Sequence, residues 1–278
     1  MKIVTDSTSD LNTQIAADLG ITVVPLYINF GEESYRDGID LTTEEFYRKL
    51  ESNKTLPTTA VPGPATFAQV FDKLAHETDE IVVIALASKL SSAYSMESQA
   101  IGMMRKKCRI EIIDSKAGCM ALGLIAIAAA KAANAGAKIE DVLKITRQNI
   151  NRSKIYFAFD TLEFLKRSGR VSATQAFLGS MLRVNPIMTL EDGEGRAVAK
   201  PRSRTKAIEF LYKFAASFSN IEEMAIEDAT TPNEADMLAE RINSRFPKER
   251  IYRTKVSPVV GTHVGPHVLA VSVLGDRS

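Results

Sequence analysis

Apolar residues in this chain fall into short β-branched runs separated by stretches of helical period, an alternation that predicts a β/α succession over the first half. Lys2 to Thr5 reads as a strand that stops at Asp6, Ser7, Thr8, Ser9 and Asp10, side chains suited to ending a strand and capping a helix. Ile21 to Phe30 reads as a second apolar strand. Thr42 and Glu45 form a capping box ahead of a helix carrying Phe46 and Leu50, with Gly38 in the preceding loop. Leu56 to Pro64 is extended, and Pro64 fits the first turn of an amphipathic helix through Phe67, Val70, Phe71 and Leu74. Ile81 to Ala87 is apolar throughout, as expected of a parallel strand buried on both faces. Arg109 to Asp114 adds a strand, Ala117 to Ala135 a buried Ala-rich helix, and Ile139 to Asn151 another helix.

Near Asn151 to Ser153 the grammar changes. A strand at Ile155 to Phe159 precedes helices near Leu162 to Lys166 and Ala173 to Leu182, then a hairpin at Asp192-Gly193. Helices follow at Lys206 to Phe218 and Asn233 to Phe246, with strands at Glu223 to Glu227, Ile251 to Lys255 and Val268 to Leu274. The expected fold is α/β with two domains. Residues 1–153 would form a Rossmann-like parallel sheet with helices on both faces, and 154–278 a smaller α+β domain with a mixed sheet.

The 278 residues suffice for two ordinary domains. With 35 Lys+Arg against 34 Asp+Glu there is no positive excess to neutralise a phosphate backbone, so nucleic acid is not expected as a partner. Cys108, read into a strand, and Cys119, read into a helix, lack zinc or redox spacing and are expected to be reduced structural thiols. The opening lacks the apolar stretch of a signal peptide, and the Ala-rich run is too short to span a bilayer, so the cytoplasm is the expected compartment. No phosphate loop, dinucleotide fingerprint or nucleophile elbow is present, and no metal or cofactor is expected.

Candidate chemistry gathers at five places. The loop after Ile81 to Ala87 carries Ser91 and Ser92, which either cap the next helix or offer neutral donors to an anion at the carboxyl ends of the strands. Thr58 and Thr59 either stabilise a turn or point hydroxyls at the same anion. Gly169 is expected to adopt a left-handed conformation that turns Arg170 off its helix, leaving Lys166 and Arg167 as a solvated helix end. Lys200, Arg202, Arg204 and Lys206 alternate as on one face of an exposed strand or docking surface. Gly261 to His267 brings two histidines beside glycines before the last strand. A zinc pair of His263 and His267 is disfavoured by Gly265 and Pro266 between them and by the lack of a third ligand. His76 is expected at the surface.

At these same points the chain resembles the DegV family of bacterial fatty-acid-binding proteins, the substrate-carrying subunits of fatty acid kinase. The resemblance spans essentially the whole chain and rests on the opening KIVTDSTSDL, Thr58 to Pro62, LSSAY from Leu90, TLEFLKRSGRVS from Thr161 and GTHVGP from Gly261. It implies an acyl chain enclosed between the domains, with Thr59 and Ser91 holding the carboxylate, Ser92 beside them, and His263 and Arg170 in the surrounding network. It also implies that Arg202 docks or activates a kinase catalytic subunit that forms the acyl phosphate, and that the carrier role is compatible with transient membrane contact. The chain departs from the family pattern with Ala60-Val61 for Ser-Gln, Ser92 for Gly, Ser168 for Gly and His267 for Gly, and each departure leaves the contact residues in place.

Two other readings compete. One is an autonomous acyl- or phosphoryl-handling enzyme using Ser91 and His263, which needs a carboxylate to orient the histidine, with Asp6 the remote candidate. The other is a binder of a different small anion, separated from a lipid carrier by whether an apolar tunnel reaches the Ser91 loop. Phe177, Leu178, Met181 and Leu182 fit either tunnel wall or core.

Overall fold

The computed structural model describes residues 1–53, 55–170 and 184–277. The helix expected at Ala173 to Leu182, with Phe177, Leu178, Met181 and Leu182, lies outside them. The chain opens with β1 (Lys2–Asp6), a short 3-10 turn, α1 (Thr13–Leu19) and β2 (Ile21–Val24). The single strand expected from Ile21 to Phe30 is instead two, because Pro25 follows β2 and the chain leaves for a different sheet as β3 (Tyr27–Phe30). After β4 (Glu33–Arg36) come α2 (Thr43–Ser52), β5 (Thr58–Ala60) and α3 (Pro64–Leu74). Both bonds of the capping box expected at Thr42 and Glu45 are present, and Pro64 occupies the first turn of α3. Next are β6 (Glu80–Ala85), α4 (Ala93–Ile101), β7 (Arg109–Asp114), α5 (Cys119–Asn134) and α6 (Ile139–Arg152). Cys108 sits one residue before β7, not within it.

The parallel sheet has the order β2-β1-β6-β7. One face meets α3 and α4 through Phe67, Phe71 and Ala100, and the other meets α5. The chain runs outward to β2 on one side of β1 and to β6 and β7 on the other, so the switch of direction lies between β1 and β6. Open parallel sheets bind ligands at the carboxyl ends of such a pair. A small antiparallel sheet, β4-β3-β5, covers part of that end.

The second half runs β8 (Ser153–Ala158), α7 (Glu163–Ser168), β9 (Ile187–Glu191), β10 (Glu194–Ala199), α8 (Arg204–Ala216), β11 (Phe218–Asp228), α9 (Pro232–Ile242), β12 (Ile251–Lys255), α10 (Pro258–Val264) and β13 (Leu269–Arg277). These strands form one mixed sheet ordered β10-β9-β8-β13-β11-β12. Asp192 and Gly193 both take positive φ, as a two-residue hairpin turn requires. The alternating basic strand expected from Lys200 to Lys206 is absent. Lys200 to Ser203 are irregular and Ser203 caps α8, so Arg204 and Lys206 lie on a helix. The segment from Gly261 is likewise the end of a helix, α10, entered through Ser257-Pro258.

One face of the mixed sheet packs on α8 and α9. The other packs on α5, whose opposite side touches β1. Wedged between two sheets, α5 is buried along nearly its whole length, which explains a sequence of Ala, Gly and aliphatic residues without a polar stripe. A Cβ at Gly123 would stand 2.6 Å from the Ser9 carbonyl, so that approach requires glycine.

Candidate functional site

Strand β5 pairs with β3 at Ile28 and Thr59, and its alternation leaves Thr58 exposed while Thr59 faces inward. On α10, His263 Nε2 lies 3.0 Å from Thr59 Oγ1. Burial, with the Arg170 guanidinium as a second cause, pushes the His263 imidazole down to about 4, so the ring is neutral at neutral pH. Its Nδ1 is buried without a hydrogen-bond partner.

Ser91 and Ser92 follow β6 in the loop before α4. Neither acts as a full cap: Ser92 occupies the N-cap position with no side-chain bond, and Ser91 Oγ accepts from Ala93 N at 3.2 Å. The Ser91 hydroxyl proton therefore stays free for a ligand oxygen. Gly169 takes φ 75° and closes α7, which brings Arg170 round to the same place, its guanidinium donating to the Ser168 carbonyl. Lys166 and Arg167 stay outside, Arg167 paired with Glu163.

Thr59, Ser91, Ser92, Arg170 and His263 all line one cavity of about 390 Å³, the size of small-molecule sites. Thr8, after β1, and Leu86, after β6, line it too, which puts it at the switch of strand direction. The remaining wall is largely apolar, with Leu90, Phe157, Phe159, Leu165, Met188, Leu190 and Val260. An apolar cavity thus reaches the Ser91 loop.

His267 is bonded to Thr230 and does not line this cavity, and Arg202 is exposed on the turn before α8. Arg204 is structural, gripping Glu234 and the Ala158 carbonyl. His76 is exposed. Asp6 accepts from Thr8 and is not bonded to His263, so no carboxylate among the described residues orients that imidazole for serine catalysis.

Two carboxylates hold α10 in place: Asp10, which the sequence offered only as a capping side chain, and Asp37, which no sequence pattern singled out. Asp10 accepts from Ser257 N at 3.0 Å, and Asp37 accepts from Val259 N at 3.4 Å. Burial pushes Asp37 up to about 7. The signal for this helix was the Ser257-Pro258 pair, a helix start in itself.

The family described as "Uncharacterised protein, DegV family" matches residues 1–276. A DegV domain-containing protein of Caldanaerobacter subterraneus subsp. tengcongensis is 35% identical over 273 residues, covering 97% of this chain and 96% of the relative. A solved structure described as fatty acid binding of a DegV family protein from Thermus thermophilus aligns with TM-score 0.90 at 29% identity, covering 99% of both chains. The structure of DegV from Bacillus subtilis, described as a fatty acid binding protein, aligns with the same TM-score, identity and coverage.

Proposed function

This chain belongs to the DegV family, and from that membership together with its cavity we propose that it binds a long-chain fatty acid and presents the carboxylate to an ATP-dependent fatty acid kinase subunit. The observation that carries the reading is an apolar cavity ending in hydroxyls, a neutral imidazole and one guanidinium drawn from separate segments. Each methylene removed from water contributes about 0.8 kcal/mol, so the acyl chain supplies the affinity and the polar end supplies orientation.

Thr59 and Ser91 hold the carboxylate through their hydroxyl protons, with His263 Nε2–H donating to Thr59 Oγ1 so that the Thr59 proton is left for the ligand, and with Arg170 adjusting the field. A carboxylate held this way keeps more of its nucleophilicity than one locked in a buried ion pair. Ser92 and Arg170 are exposed, which brings the polar end to the surface, where a partner carrying ATP can reach it. The partner forms the acyl phosphate, so this chain needs no nucleotide loop and acts as a carrier without a cofactor. Arg202 is the residue we assign to docking that partner. No helix among the described residues is long and apolar enough to cross a membrane. The carrier is assigned to the cytoplasm, exchanging acyl chains with a bilayer in transient contact.

The test is denaturing extraction of the purified chain followed by mass spectrometry, on the native protein and on the Thr59→Ala, Ser91→Ala double variant. The native protein should release one fatty acid per chain. The variant should bind added fatty acid on the order of a hundredfold more weakly, as expected for losing two hydrogen bonds to a charged group. No acyl molecule and no binding of added fatty acid would sink the ligand assignment. Undiminished binding in the variant would sink the residue assignment.

A further inference from the structure

Asp10, Cys119 and Glu227 meet beneath the acyl cavity, and nothing proposed above uses their meeting. Asp10 ends the turn after β1, Cys119 opens α5, and Glu227 comes from β11 of the other sheet. Their ligand-capable atoms all lie within 4.8 Å of one another. All three side chains are buried, Asp10 with 4% of its surface exposed and Glu227 with none. Glu227 is held from behind, Oε1 by Ser272 Oγ at 2.9 Å and Oε2 by Met120 N at 3.0 Å, while Asp10 Oδ1 takes the Ser257 N–H. Asp10 Oδ2 is buried with no hydrogen-bond partner.

Two carboxylates facing each other in a buried site need a proton or a cation between them. No lysine or arginine among the described residues forms an ion pair with either. The nearby Lys255 and Arg253 are engaged by Asp228. A shared proton would account for two groups. The thiol facing the same point makes a third, and a thiol beside two carboxylates is a donor set suited to a borderline-soft divalent ion.

We propose that Asp10, Cys119 and Glu227 bind a divalent cation of the zinc class, joining the parallel sheet, α5 and the mixed sheet at one point. Ligands about 2.0–2.3 Å from one ion stand roughly 3.3–3.7 Å apart, so small side-chain rotations close the site. The Ser257, Met120 and Ser272 donors are the outer contacts that orient such ligands. Of the three, Asp10 also lines a second cavity of about 810 Å³ together with Asp37 and Ser257, which gives an ion a way in from that side, and a solvent water would complete the fourth position. Binding forms one metal–sulfur and two metal–oxygen bonds and returns the thiol proton and the proton between the carboxyls to solvent, so affinity falls as pH is lowered. Cysteine spacing gives no hint of this site, because its ligands come from three distant segments.

The experiment is titration of the metal-free full-length protein with cobalt(II), then zinc(II). Expected are one bound cobalt per chain with a thiolate-to-cobalt absorption band, its displacement by one equivalent of zinc, and a zinc-dependent rise in unfolding temperature. Cys119→Ser should lose the band, and Ser272→Ala should keep it while weakening zinc binding about 10- to 100-fold. If neither variant folds, the spectrum of the native protein decides. Cobalt uptake without the thiolate band, or no uptake and no thermal shift, overturns the proposal and leaves a proton as the link between Asp10 and Glu227. The fatty acid reading is unaffected by that outcome, since the metal titration does not use the acyl ligand.

Discussion

Glu97, on α4, keeps 1% of its surface exposed and leaves Oε2 without a hydrogen-bond partner. Burial, reinforced by the Asp6 charge, pushes its carboxyl up to about 8. The folded chain therefore holds a proton there that the unfolded chain gives up in the usual carboxylate range. The group's contribution is complete at low pH and is lost as pH rises toward 8. Glu97→Gln, which does not titrate, should gain on the native protein by on the order of 3 kcal/mol between pH 5 and pH 8. Urea unfolding at the two pH values reads this directly, and a difference that does not change with pH would rule it out. The left-handed turn at Gly169 that carries Arg170 round was legible in the sequence, whereas Thr58 and Thr59 stood there as a pair and are told apart by their burial in the strand. The pairing of Thr59 with His263 was not legible, since it spans 204 positions and depends on how two segments meet.

Among elements, those whose stop and start signals lie within a few residues were readable: the Thr42 capping box, Pro64 at the head of α3, the apolar run of β6 and the turn between β9 and β10. Helix α10 was missed although Ser257-Pro258 marked its start, because Ser257 makes no side-chain cap and the carboxylates that satisfy the helix's first N–H groups come from Asp10 and Asp37, separated by 247 and 222 positions. The basic run at Lys200 to Lys206 misled for a related reason. Its alternation suggested a strand, but the Ser203 cap and the anchoring of Arg204 on Glu234 favour a helix. Helix α10 also rests closely on α2. A Cβ on Gly261 would stand 2.6 Å from Tyr47 Oη and 2.8 Å from Phe46 Cε1, both buried. Gly261→Ala should cost about 1–3 kcal/mol of stability by overpacking. By displacing His263 it should also weaken fatty acid binding, measured by urea unfolding and ligand titration on the same sample. An alanine tolerated in both assays would mean that α10 can shift without consequence.

The whole molecule divides by sheet: every strand of the four-stranded parallel sheet and of the small antiparallel sheet precedes Ser153, and every strand of the mixed sheet follows Arg152. That much was written in the change of pattern near Asn151. Which faces meet was not, because an Ala-rich helix without a polar side does not say which two surfaces it separates. Docking belongs to this scale as well. If Arg202 engages the kinase, Arg202→Ala should leave fatty acid binding unchanged and slow acyl phosphate formation with the partner about 10- to 100-fold, as for an interface anchor. An unchanged rate, or a parallel loss of binding, would remove it from that role.

Helix α5 gives the two halves a common wall. A fragment ending at Arg152 would carry α5 with one flank stripped of its covering sheet, and the complementary fragment would lack the helix altogether. Neither piece should fold on its own, and heat or denaturant should melt the chain in a single cooperative step. A ligand that settles against Cys119 at the head of this helix is therefore read out across the entire chain. Its binding free energy adds to the unfolding free energy of strands it never touches.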